Sequence, residues 1–584
     1  MRKTIRRIAP SLAAIALLGA CTTVNEEPVT VETATASLES GPATQEPALD
    51  IPAATAGTLS EATMIDITRE LSLDSYDGRM PGTAGGAMTV KLLTEQFAAA
   101  GLQPGNDGSW VQDVPLIEIT GSDFAPLTIA GGGGETLSFE PRTDWVGVSY
   151  RETPRTVLDT SELVFVGYGI VAPERGWNDY AGVDMTGKTA VILVNDPDFG
   201  SETLDGPFGG KAMTYYGRWT YKYEEAARQG AAGALIIHDT APASYGWNVV
   251  ESSWSGPQAY AARGATPPPL TRMNGWLTKD AAGKIFDMAG YTLADLTMRA
   301  RRQGFRAIQL DVAASTSFNN TMRTYNSQNV IGMLPGTEAP DEYVIHTAHW
   351  DHLGRCTPAP DGDDICNGAV DNATGTAALV ALAEAHHKAG PTRRSQVFLA
   401  VTAEEQGLLG ASYYADNPVL PLAQTVGGLN MDALPMTGPS RDVTVVGPGK
   451  SQLDAFLQAG LDATGRTATP NPNPEAGYYY RSDHFALAKK GVPMIYAKGG
   501  QDLIDGGVAA GKAWDADYRA NRYHGPKDEF DENWDWSGVM QDLDLFYRVG
   551  RSLGDSTSWP NWNKGDEFRA TRDASCAAAG GNGC

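Results

Sequence analysis

Cysteine is scarce in this chain, with five residues among 584. That scarcity excludes a small disulfide-rich scaffold, and the chain has no CxxC pair to favour a zinc knuckle. Long hydrophobic runs are missing as well, since no segment reaches the roughly 18 apolar residues that a transmembrane helix needs. Positive charge is in deficit, because 45 Lys and Arg against 70 Asp and Glu give a net charge of −25. A chain this acidic repels nucleic acid, so no nucleic-acid partner is expected.

The N-terminus has the pattern of an export signal. Residues 1–20 combine a basic start with the apolar run 8–18, which is too short to span a bilayer. Residues 18–21 resemble the bacterial lipobox, whose cysteine is lipidated and becomes the mature N-terminus. We therefore expect membrane attachment only through lipidated Cys21, on the periplasmic side of the cell envelope. Because Thr22 and not Asp follows, the outer membrane is favoured over the inner one. An ordinary secretory signal is the alternative.

Two segments are predicted to lie outside the folded domains. Residues 21–57 are rich in Thr, Ala, Glu and Pro, have no Lys or Arg and show no periodicity, which is typical of a disordered tether. Residues 561–584 are interpreted as a C-terminal tail. In an oxidising compartment the natural disulfides are Cys356–Cys366 and Cys576–Cys584. A zinc knuckle built from these four cysteines is the alternative.

The remaining chain predicts a larger domain, 58–140 and 311–560, interrupted by an insert, 141–310. In the larger domain, apolar strand-like runs such as 343–348 and 397–401 alternate with helical patterns such as 375–389. This alternation predicts an α/β fold with a doubly wound, mostly parallel sheet and helices on both faces. The insert repeats the alternation on a smaller scale and is predicted to be a second, smaller α/β domain.

Residues able to bind metal or transfer protons follow the predicted strands, where open α/β sheets bind their ligands. They come in five motifs, which centre on His349 and Asp351, on Asp371, on Glu404 and Glu405, on Asp432, and on His524. Two histidines and three carboxylates suit a pair of zinc-type ions. A carboxylate is the natural bridge between two ions, since each of its oxygens can serve one of them. Of the adjacent pair at 404 and 405, one residue can bind metal while its neighbour acts as a base.

The order of these motifs resembles that of the M28 family of cocatalytic zinc exopeptidases. The resemblance implies two Zn²⁺ ions per chain, held by His349 and Asp432 on one side and by Glu405 and His524 on the other, with Asp371 as the bridge. It also implies that Glu404 is the general base and that Asp351 orients His349. Residues 222–234 resemble part of the protease-associated domain that is inserted in several exopeptidases, for which a generic βαβ unit is the alternative.

The segment Arg481 to His484 also resembles a family segment that lines the substrate site. By its spacing from Ser482, Tyr479 is the candidate to support the oxyanion. A packing role for the three consecutive tyrosines is the alternative. His238, His386 and His387 are interpreted as solvated histidines without a catalytic role.

These expectations combine into a metal-dependent exopeptidase that acts on peptide substrates. An aminopeptidase is favoured, because the resemblance implies it and the acidic balance suits a cationic α-amino group. A carboxypeptidase or dipeptidase on the same scaffold is the alternative, and it needs a cationic clamp for which Arg218 and Arg481 are candidates. A glutaminyl cyclase, which works with one metal, and a non-catalytic binding lipoprotein are less favoured, because every expected ligand and the base are present.

Overall fold

The computed structural model describes residues 48–262 and 268–578. The chain divides into two units, Met1–Ala48 and Leu49–Cys584, and all elements given below belong to the second. The predicted signal, Cys21 and most of the predicted tether lie outside the described residues, as does Cys584. Within the described residues, no helix is both long and apolar enough to cross a membrane.

The strands of the second unit are mostly short, with one long exception that begins at Ile308. In chain order they are β1 (Gln103–Pro104), β2 (Val111–Ser122), β3 (Leu127–Gly131), β4 (Thr136–Phe139), β5 (Trp145–Val148), β6 (Arg155–Phe165), β7 (Val171–Ala172), β8 (Trp177–Asn178), β9 (Thr189–Leu193), β10 (Gly233–His238), β11 (Gln258–Ala261), β12 (Met273–Thr278), β13 (Ile308–Leu334), β14 (Ala339–His349), β15 (Gly354–Arg355), β16 (Ile365–Cys366), β17 (Arg394–Val401), β18 (Thr425–Asn430), β19 (Asp442–Val445), β20 (Thr467–Pro470) and β21 (Met494–Gly499).

The helices flank these strands. In chain order they are α1 (Glu61–Leu71), α2 (Ala84–Ala99), α3 (Trp219–Arg228), α4 (Thr240–Ala243), α5 (Trp247–Trp254), α6 (Lys279–Met288), α7 (Leu293–Ala300), α8 (Thr374–Lys388), α9 (Leu409–Asp416), α10 (Leu453–Thr464), α11 (His484–Lys489), α12 (Gly507–Asn521), α13 (Ser537–Asp555) and α14 (Arg569–Ala578).

Four parallel strands form the centre of the larger domain's sheet, in the order β17, β14, β18, β21. Alternate residues of β17 pack into two different hydrophobic cores, one on each face of the sheet. Phe398 and Ala400 pack with α8 and α13, whereas Val397 and Leu399 pack with α9 and α11 on the other face. Strands that are covered on both faces have continuous apolar sequences, and for this reason these strands could be predicted from the sequence. The predicted α/β class with a largely parallel sheet is confirmed.

Helix α8 is buried around nearly its whole circumference. It lies against α1, α13 and the sheet, so that only its last turn is partly exposed. The interpretation of His386 as a solvated histidine is therefore wrong, because its side chain is fully buried and packs against Tyr547. His238 is likewise buried, whereas His387 is exposed as expected.

The insert contains its own parallel strands, in the order β6, β9, β10, β12. Strand β13 joins it to the larger domain, since its residues 308–319 pair with β6 and its residues 330–334 pair with β17. Strand β2 pairs with the middle of β13, so the strands shared by the two domains begin before residue 141 and continue beyond 310. The domain boundaries from the sequence remain predictions.

Both predicted peripheral segments contact the larger domain where they are described. Ser556 Oγ donates a 2.5 Å hydrogen bond to the Asp50 carbonyl, and Leu49 packs against the core. In the predicted tail, Trp562 is fully buried and donates to the Gly491 carbonyl at 2.8 Å. A few apolar side chains in otherwise polar segments are enough to bind them to the domain.

The predicted disulfide Cys356–Cys366 is present, with a Cα–Cα distance of 5.9 Å. It closes the loop between the strands β15 and β16, which pair with each other. The second predicted pair involves Cys584, which lies outside the described residues, and it stays a prediction.

Candidate metal centre

Three of the candidate motifs follow the carboxyl ends of neighbouring parallel strands. His349 is the last residue of β14, Glu404 and Glu405 come shortly after β17, and Asp432 follows β18. Because parallel strands end at the same edge of a sheet, these side chains converge there. Asp371 reaches the same edge from the turn that precedes α8.

Asp371 directs one carboxylate oxygen to each of two histidines. Its Oδ1 is 3.4 Å from His349 Nε2, and its Oδ2 is 3.4 Å from His524 Nε2. The side chain is almost completely buried, so neither oxygen is directed to bulk solvent. A carboxylate placed in this way can serve two ions, one through each oxygen.

Each of these histidines also approaches a second carboxylate. His349 Nε2 is 3.4 Å from Asp432 Oδ1, and His524 Nε2 is 3.1 Å from Glu405 Oε2. Two ligands at 2.0–2.1 Å from a tetrahedral zinc ion lie about 3.3–3.4 Å apart. The three distances of 3.4 Å therefore match the spacing of ligands around an ion and exceed most nitrogen–oxygen hydrogen bonds, whereas the 3.1 Å between His524 and Glu405 lies within the hydrogen-bond range. The structure brings all five predicted ligands together in two groups that share Asp371.

His352 is a further residue of the site, to which sequence reasoning assigned no role. Its Nδ1 lies 2.6 Å from Glu405 Oε1, and its side chain is fully buried. With Asp371 and Glu405 it forms one of two described three-residue groups able to hold a metal ion, the other being His349, Asp371 and Asp432. The signal was available in the sequence, because His352 follows Asp351 directly in the first motif.

Asp351 holds the turn that carries the two glutamates. Its carboxylate accepts hydrogen bonds from the backbone N–H of Glu404 at 3.1 Å and of Glu405 at 3.4 Å. His349 Nδ1 lies 3.2 Å from the Asp351 carbonyl oxygen and 3.9 Å from its carboxylate. Asp351 thus contacts His349 through its backbone carbonyl, and its predicted role in orienting His349 stays a prediction. The hydrogen bond to the carbonyl leaves His349 Nε2 free to face the centre.

Two side chains that sequence reasoning left without a role position the bridging residue. Asp528 is buried and accepts hydrogen bonds from the backbone N–H of Val370 and of Asp371, both at 3.0 Å. Asn372 accepts from the Ala433 N–H at 3.1 Å and donates to the Met431 carbonyl at 3.1 Å. These bonds fix the segment of Asp371 relative to the segment of Asp432.

A chain of hydrogen bonds ends at Asp432 and holds its carboxylate in place. Thr347 Oγ1 donates to Asn430 Oδ1 at 2.7 Å, and Asn430 Nδ2 donates to Ser482 Oγ at 2.7 Å. Ser482 Oγ then donates to Asp432 Oδ2 at 2.5 Å. All three supporting residues are buried. Carboxylates that bind metals are commonly held by hydrogen bonds of this kind.

The electrostatics of the cluster favour cations. Burial raises the pKa of the Asp371 carboxyl, but the neighbouring histidines outweigh burial and hold this pKa well below its usual range. Burial lowers the pKa of His524, but the carboxylates of Glu405 and Asp371 raise it to about 10. For His349, too, the surrounding carboxylates outweigh burial and raise the pKa well above its ordinary value. Without a metal ion, both histidines therefore hold protons in place of it.

Two more carboxylates face this cluster. Burial, and then the nearby Glu405 and Asp483, raise the pKa of Glu404 well above its ordinary value, in spite of the opposing effect of His349. Asp483 is 1% exposed, and neither of its oxygens has a hydrogen-bond partner among the described residues. Its pKa is also raised by burial. A group that holds its proton more tightly is suited to accept one during a reaction.

Tyr479 is surrounded by aromatic and charged side chains, and its role at the oxyanion stays a prediction. Its ring packs edge-on against His484, and Lys450 Nζ lies 5.1 Å from its centre. Burial raises the pKa of the Tyr479 hydroxyl well above its ordinary value, against the opposing charge of Lys450. Burial also raises the pKa of Tyr496 and of Tyr523, and the carboxylates of the candidate metal cluster add to it there. The packing alternative for Tyr479 fits these contacts. Tyr523 stacks on His524 with the ring centres 3.8 Å apart, so it lies beside one of the predicted ligands.

Residues 329–547 match the model of peptidase family M28. This segment contains the four central parallel strands and every predicted metal ligand. Over that segment the resemblance inferred from the motifs is confirmed.

Three individual proteins illustrate the similarity. A "Probable zinc metalloprotease" of Pyrenophora teres f. teres (strain 0-1) is 28% identical over 40% of this chain and 44% of its own length. "Leupeptin-inactivating enzyme 1" of Streptomyces exfoliatus is 26% identical over 47% of this chain and 61% of its own. The solved aminopeptidase from Aneurinibacillus sp. strain AM-1 is 18% identical with a TM-score of 0.43, over 85% of this chain and 93% of that one. The match thus spans less than two thirds of either curated relative.

Proposed function

We propose that this protein is a metal-dependent exopeptidase that uses two zinc ions and removes N-terminal residues from peptides. The observation that carries the proposal is the position of Asp371, whose two oxygens each lie 3.4 Å from a different histidine. Each histidine has its own second carboxylate within 3.4 Å. The M28 match and the printed name of the Pyrenophora relative support the choice of zinc and of peptide hydrolysis.

The donor set fits zinc, because it combines imidazole nitrogens with carboxylate oxygens at tetrahedral spacing. His349 and Asp432 would hold one ion, Glu405 and His524 the other, and Asp371 both. When bound, zinc ions activate water and polarise the carbonyl of the substrate. His352 would keep Glu405 oriented by its 2.6 Å contact.

Glu404 is proposed to accept the proton of the attacking water and to deliver it to the leaving amine. Its neighbour Glu405 is directed to His524, so the two adjacent carboxylates have separate tasks. Asp351 supports both by binding their backbone N–H groups, which makes it a positioning residue.

Recognition of an amino terminus is proposed from the excess of carboxylates at the site. Asp483 and Glu404 both act electrostatically on the centre, but neither is a predicted ligand. A buried carboxylate without a hydrogen-bond partner is costly to ionise unless a cation lies beside it. A substrate α-ammonium group supplies that cation, which supports an aminopeptidase.

The class of peptidase can be tested with matched substrates. Aminoacyl-4-nitroanilides and short peptides with free amino termini should be cleaved, whereas their N-acetylated forms should not. Incubation with a chelator should abolish cleavage, and added zinc should restore it. Equal cleavage of free and N-acetylated substrates would exclude an aminopeptidase, and full activity after verified removal of metal would exclude the metal mechanism.

A dipeptidase or carboxypeptidase is a second candidate. It requires a cationic site for the substrate carboxylate, for which the sequence offered Arg218 and Arg481. The specific observation in favour of this candidate is that the side chain of Arg218 reaches the turn at Gly477, four residues before Arg481.

Attachment to the cell envelope through a lipid on Cys21 is also proposed, and it is carried by the sequence alone. A Cys21→Ser variant expressed with its signal should move from the membrane fraction to the soluble fraction. Retention of that variant in the membrane fraction would contradict the proposal.

A further inference from the structure

The C-terminal segment 561–578 contributes a carboxylate that is almost completely buried. Glu567 follows Trp562, which packs into the domain, and the Glu567 side chain is only 5% exposed. It lies beyond residues 329–547, the segment that matches the peptidase family. A buried carboxylate is unfavourable unless it is paired and hydrogen-bonded, so the partners of Glu567 indicate why it is there.

Glu567 has partners from three other parts of the chain. Its Oε1 accepts a hydrogen bond from the Tyr480 hydroxyl at 2.9 Å and lies 3.2 Å from Lys450 Nζ. Its Oε2 lies 3.3 Å from Arg175 Nη2. Tyr480 belongs to the turn before α11, Lys450 to the segment after β19, and Arg175 to the insert. One carboxylate therefore connects the C-terminal segment with the insert and with the turn of Tyr480.

These partners keep Glu567 ionised. Burial raises the pKa of Glu567, but Lys450 and then Arg175 outweigh burial and hold this pKa below its ordinary value. Hydrogen bonds to an ionised acceptor are shorter and stronger than those between neutral groups. The Tyr480 hydroxyl is therefore held by a charge-assisted hydrogen bond.

Aromatic rings shield this contact from water. The Tyr480 ring packs edge-on against Phe485, with the ring centres 5.3 Å apart, and Phe485 in turn packs edge-on against Phe568. Lys450 Nζ lies 5.3 Å from the centre of the Phe568 ring. All three rings are buried. Charged contacts are screened less in such surroundings, so the loss of one partner strongly affects the others.

The turn of Tyr480 leads directly to the candidate metal centre. Two residues after Tyr480 comes Ser482, whose hydroxyl donates to Asp432 Oδ2 at 2.5 Å. Ser482 is 2% exposed and has little room to adjust. Two residues of backbone span at most about 7 Å, so a change in the position of Tyr480 also moves Ser482.

The start of the same turn is fixed in a different way. The Met213 N–H of the insert donates to the Pro474 carbonyl at 3.2 Å. Gly477 follows with a φ of 64°, in the left-handed region that favours glycine. These contacts involve the backbone at the start of the turn, whereas Glu567 binds a side chain at its end. The end that is closest to Ser482 in the sequence is therefore the one that Glu567 holds.

We propose that Glu567 is a positioning residue for the metal centre and that it acts through Tyr480 and Ser482 on the carboxylate of Asp432. This role rests on the proposed function, in which Asp432 holds a zinc ion. Because Arg175 binds the second oxygen of Glu567, the insert takes part in the same support. The C-terminal segment, although it lies outside the family match, is then required for full zinc affinity.

Zinc affinity gives a readout that does not depend on turnover. In full-length protein freed of metal by a chelator, competition titrations with a zinc-binding dye measure each site. Tyr480→Phe and Glu567→Ala should each weaken one of the two zinc sites by about tenfold, the lower end of what the supporting partners of metal ligands contribute. Glu567→Gln keeps an oxygen acceptor for Tyr480 and should recover part of this loss. Unchanged zinc affinity in both Tyr480→Phe and Glu567→Ala would overturn the proposal.

Asp566→Asn is the matched control for stability. Asp566 lies 2.9 Å from the same Lys450 Nζ. Within the part of the chain that the structure describes, it forms neither a hydrogen bond with Tyr480 nor an ion pair with Arg175. Asp566→Asn should therefore lower the melting temperature and leave zinc affinity unchanged. Equal losses of zinc affinity in Asp566→Asn and Glu567→Ala would show that Glu567 only stabilises the fold. Tyr480→Phe removes one hydroxyl and no charge, so it provides the test if Glu567→Ala does not fold.

Turnover separates this role from the proposed function. In the zinc-loaded enzyme, Tyr480→Phe and Glu567→Ala should lower kcat and leave KM near the wild-type value, because they act on the metal centre and not on contacts with the peptide. If the wild type cleaves no peptide but the variants lose zinc affinity as expected, the proposed function fails and the positioning role stands. If the wild type removes N-terminal residues and both variants keep its zinc affinity and kcat, the positioning role fails and the proposed function stands.

Discussion

At the residue level, Glu404 and Glu405 show how one turn gives neighbouring carboxylates different chemistry. Glu405 is directed to His352 and His524, and these histidines, against the effect of burial, lower its pKa to about 2. Glu404 has a pKa shifted in the opposite direction. Pairs of acids whose environments separate their pKa values often divide ligand and base roles.

The Glu404→Gln variant should lose at least about 100-fold in kcat, since general-base catalysis commonly contributes that much. Its metal content should stay at the wild-type level, because Glu404 is not among the predicted ligands. Steady-state kinetics and metal analysis of the same preparation test both statements. Glu338→Gln, at a site 73% exposed, is the control and should behave as the wild type. Peptidase activity above a tenth of the wild-type value would remove Glu404 from the proposed role.

Zinc affinity should depend on pH, because the ligand histidines are protonated in the metal-free protein. The folded pKa of His524, about 10, lies above its unfolded value, so its stabilising contribution to the metal-free protein is complete below pH 6.5 and is lost as the pH rises through 10. Below pH 10, each zinc ion bound there must displace one proton. The apparent Kd at this site should therefore fall about tenfold for each pH unit between 6.5 and 8.5.

Competition titrations against a zinc-binding dye, at several pH values, measure this slope. A His524→Ala variant should lose the pH-dependent step that belongs to this site and retain the step of the other. A pH-independent Kd in the wild type would show that His524 does not carry a proton in the metal-free state.

At the level of elements, Arg79 connects three segments around the centre. It is fully buried and donates to the carbonyls of Leu71 at 2.7 Å, Trp350 at 3.0 Å and Gly368 at 2.9 Å. These carbonyls belong to the end of α1, to the residue after β14 and to the turn before Asp371. One side chain thus sets the spacing between the His349 segment and the Asp371 segment.

Replacing Arg79 by Met should lower the free energy of unfolding by about 3–5 kcal/mol, because several buried carbonyls lose their donor. Denaturant unfolding followed by fluorescence measures this loss. Zinc affinity should fall in the same variant, since both ligand segments lose their common support. Arg299→Gln, at an exposed arginine on α7, serves as the control and should change neither quantity. An unchanged unfolding curve would show that water replaces the guanidinium at these carbonyls.

The strand ends were predictable from the sequence because their local signals are strong. Runs such as 397–401 are apolar throughout, and polar ligand residues follow them directly. The environment of Tyr479 was not predictable, since it depends on Lys450, a residue distant in the sequence. The positioning role of Asp528 depends in the same way on backbone N–H groups far along the chain. Residue spacing indicates candidate ligands, whereas the contacts that hold them are visible only in the packed structure.

Arg218 and Arg481 are a second example of a contact that the sequence does not reveal. Each was a candidate clamp by residue type alone, and nothing in the spacing between positions 218 and 481 indicates that they meet. Their proximity depends on how the insert lies against the turn at Gly477.

At the level of the whole molecule, the insert and the larger domain are joined by more than a linker. Strand β13 belongs to the strand pairing of both, and Lys489 of α11 lies 2.8 Å from Glu224 of α3. Two domains that share a strand and buried contacts are expected to unfold together.

We expect a single thermal transition in which tryptophan fluorescence and residual peptidase activity give the same midpoint. Trp276→Ala removes a side chain that is only 1% exposed in the insert's core. It should lower the free energy of unfolding by about 3–5 kcal/mol. Because the two domains are expected to unfold together, both midpoints should fall equally. Met298→Ala, at a residue 57% exposed in the insert, should change neither. Two separate transitions, with activity surviving the first, would show that the domains are independent.

The segment that contains the insert begins and ends at one place beside the parallel sheet. Val111 at the start of β2 pairs directly with Val330 in β13. The Cα atoms of paired residues in antiparallel strands lie about 4.5–5.5 Å apart, so Val111 and Val330 are neighbours in space. The length of chain between these two residues does not affect the register of the parallel strands β17, β14, β18 and β21. A short turn in place of residues 112–329 would therefore remove the insert together with most of β2 and β13, and it would leave the predicted metal ligands on their original strands.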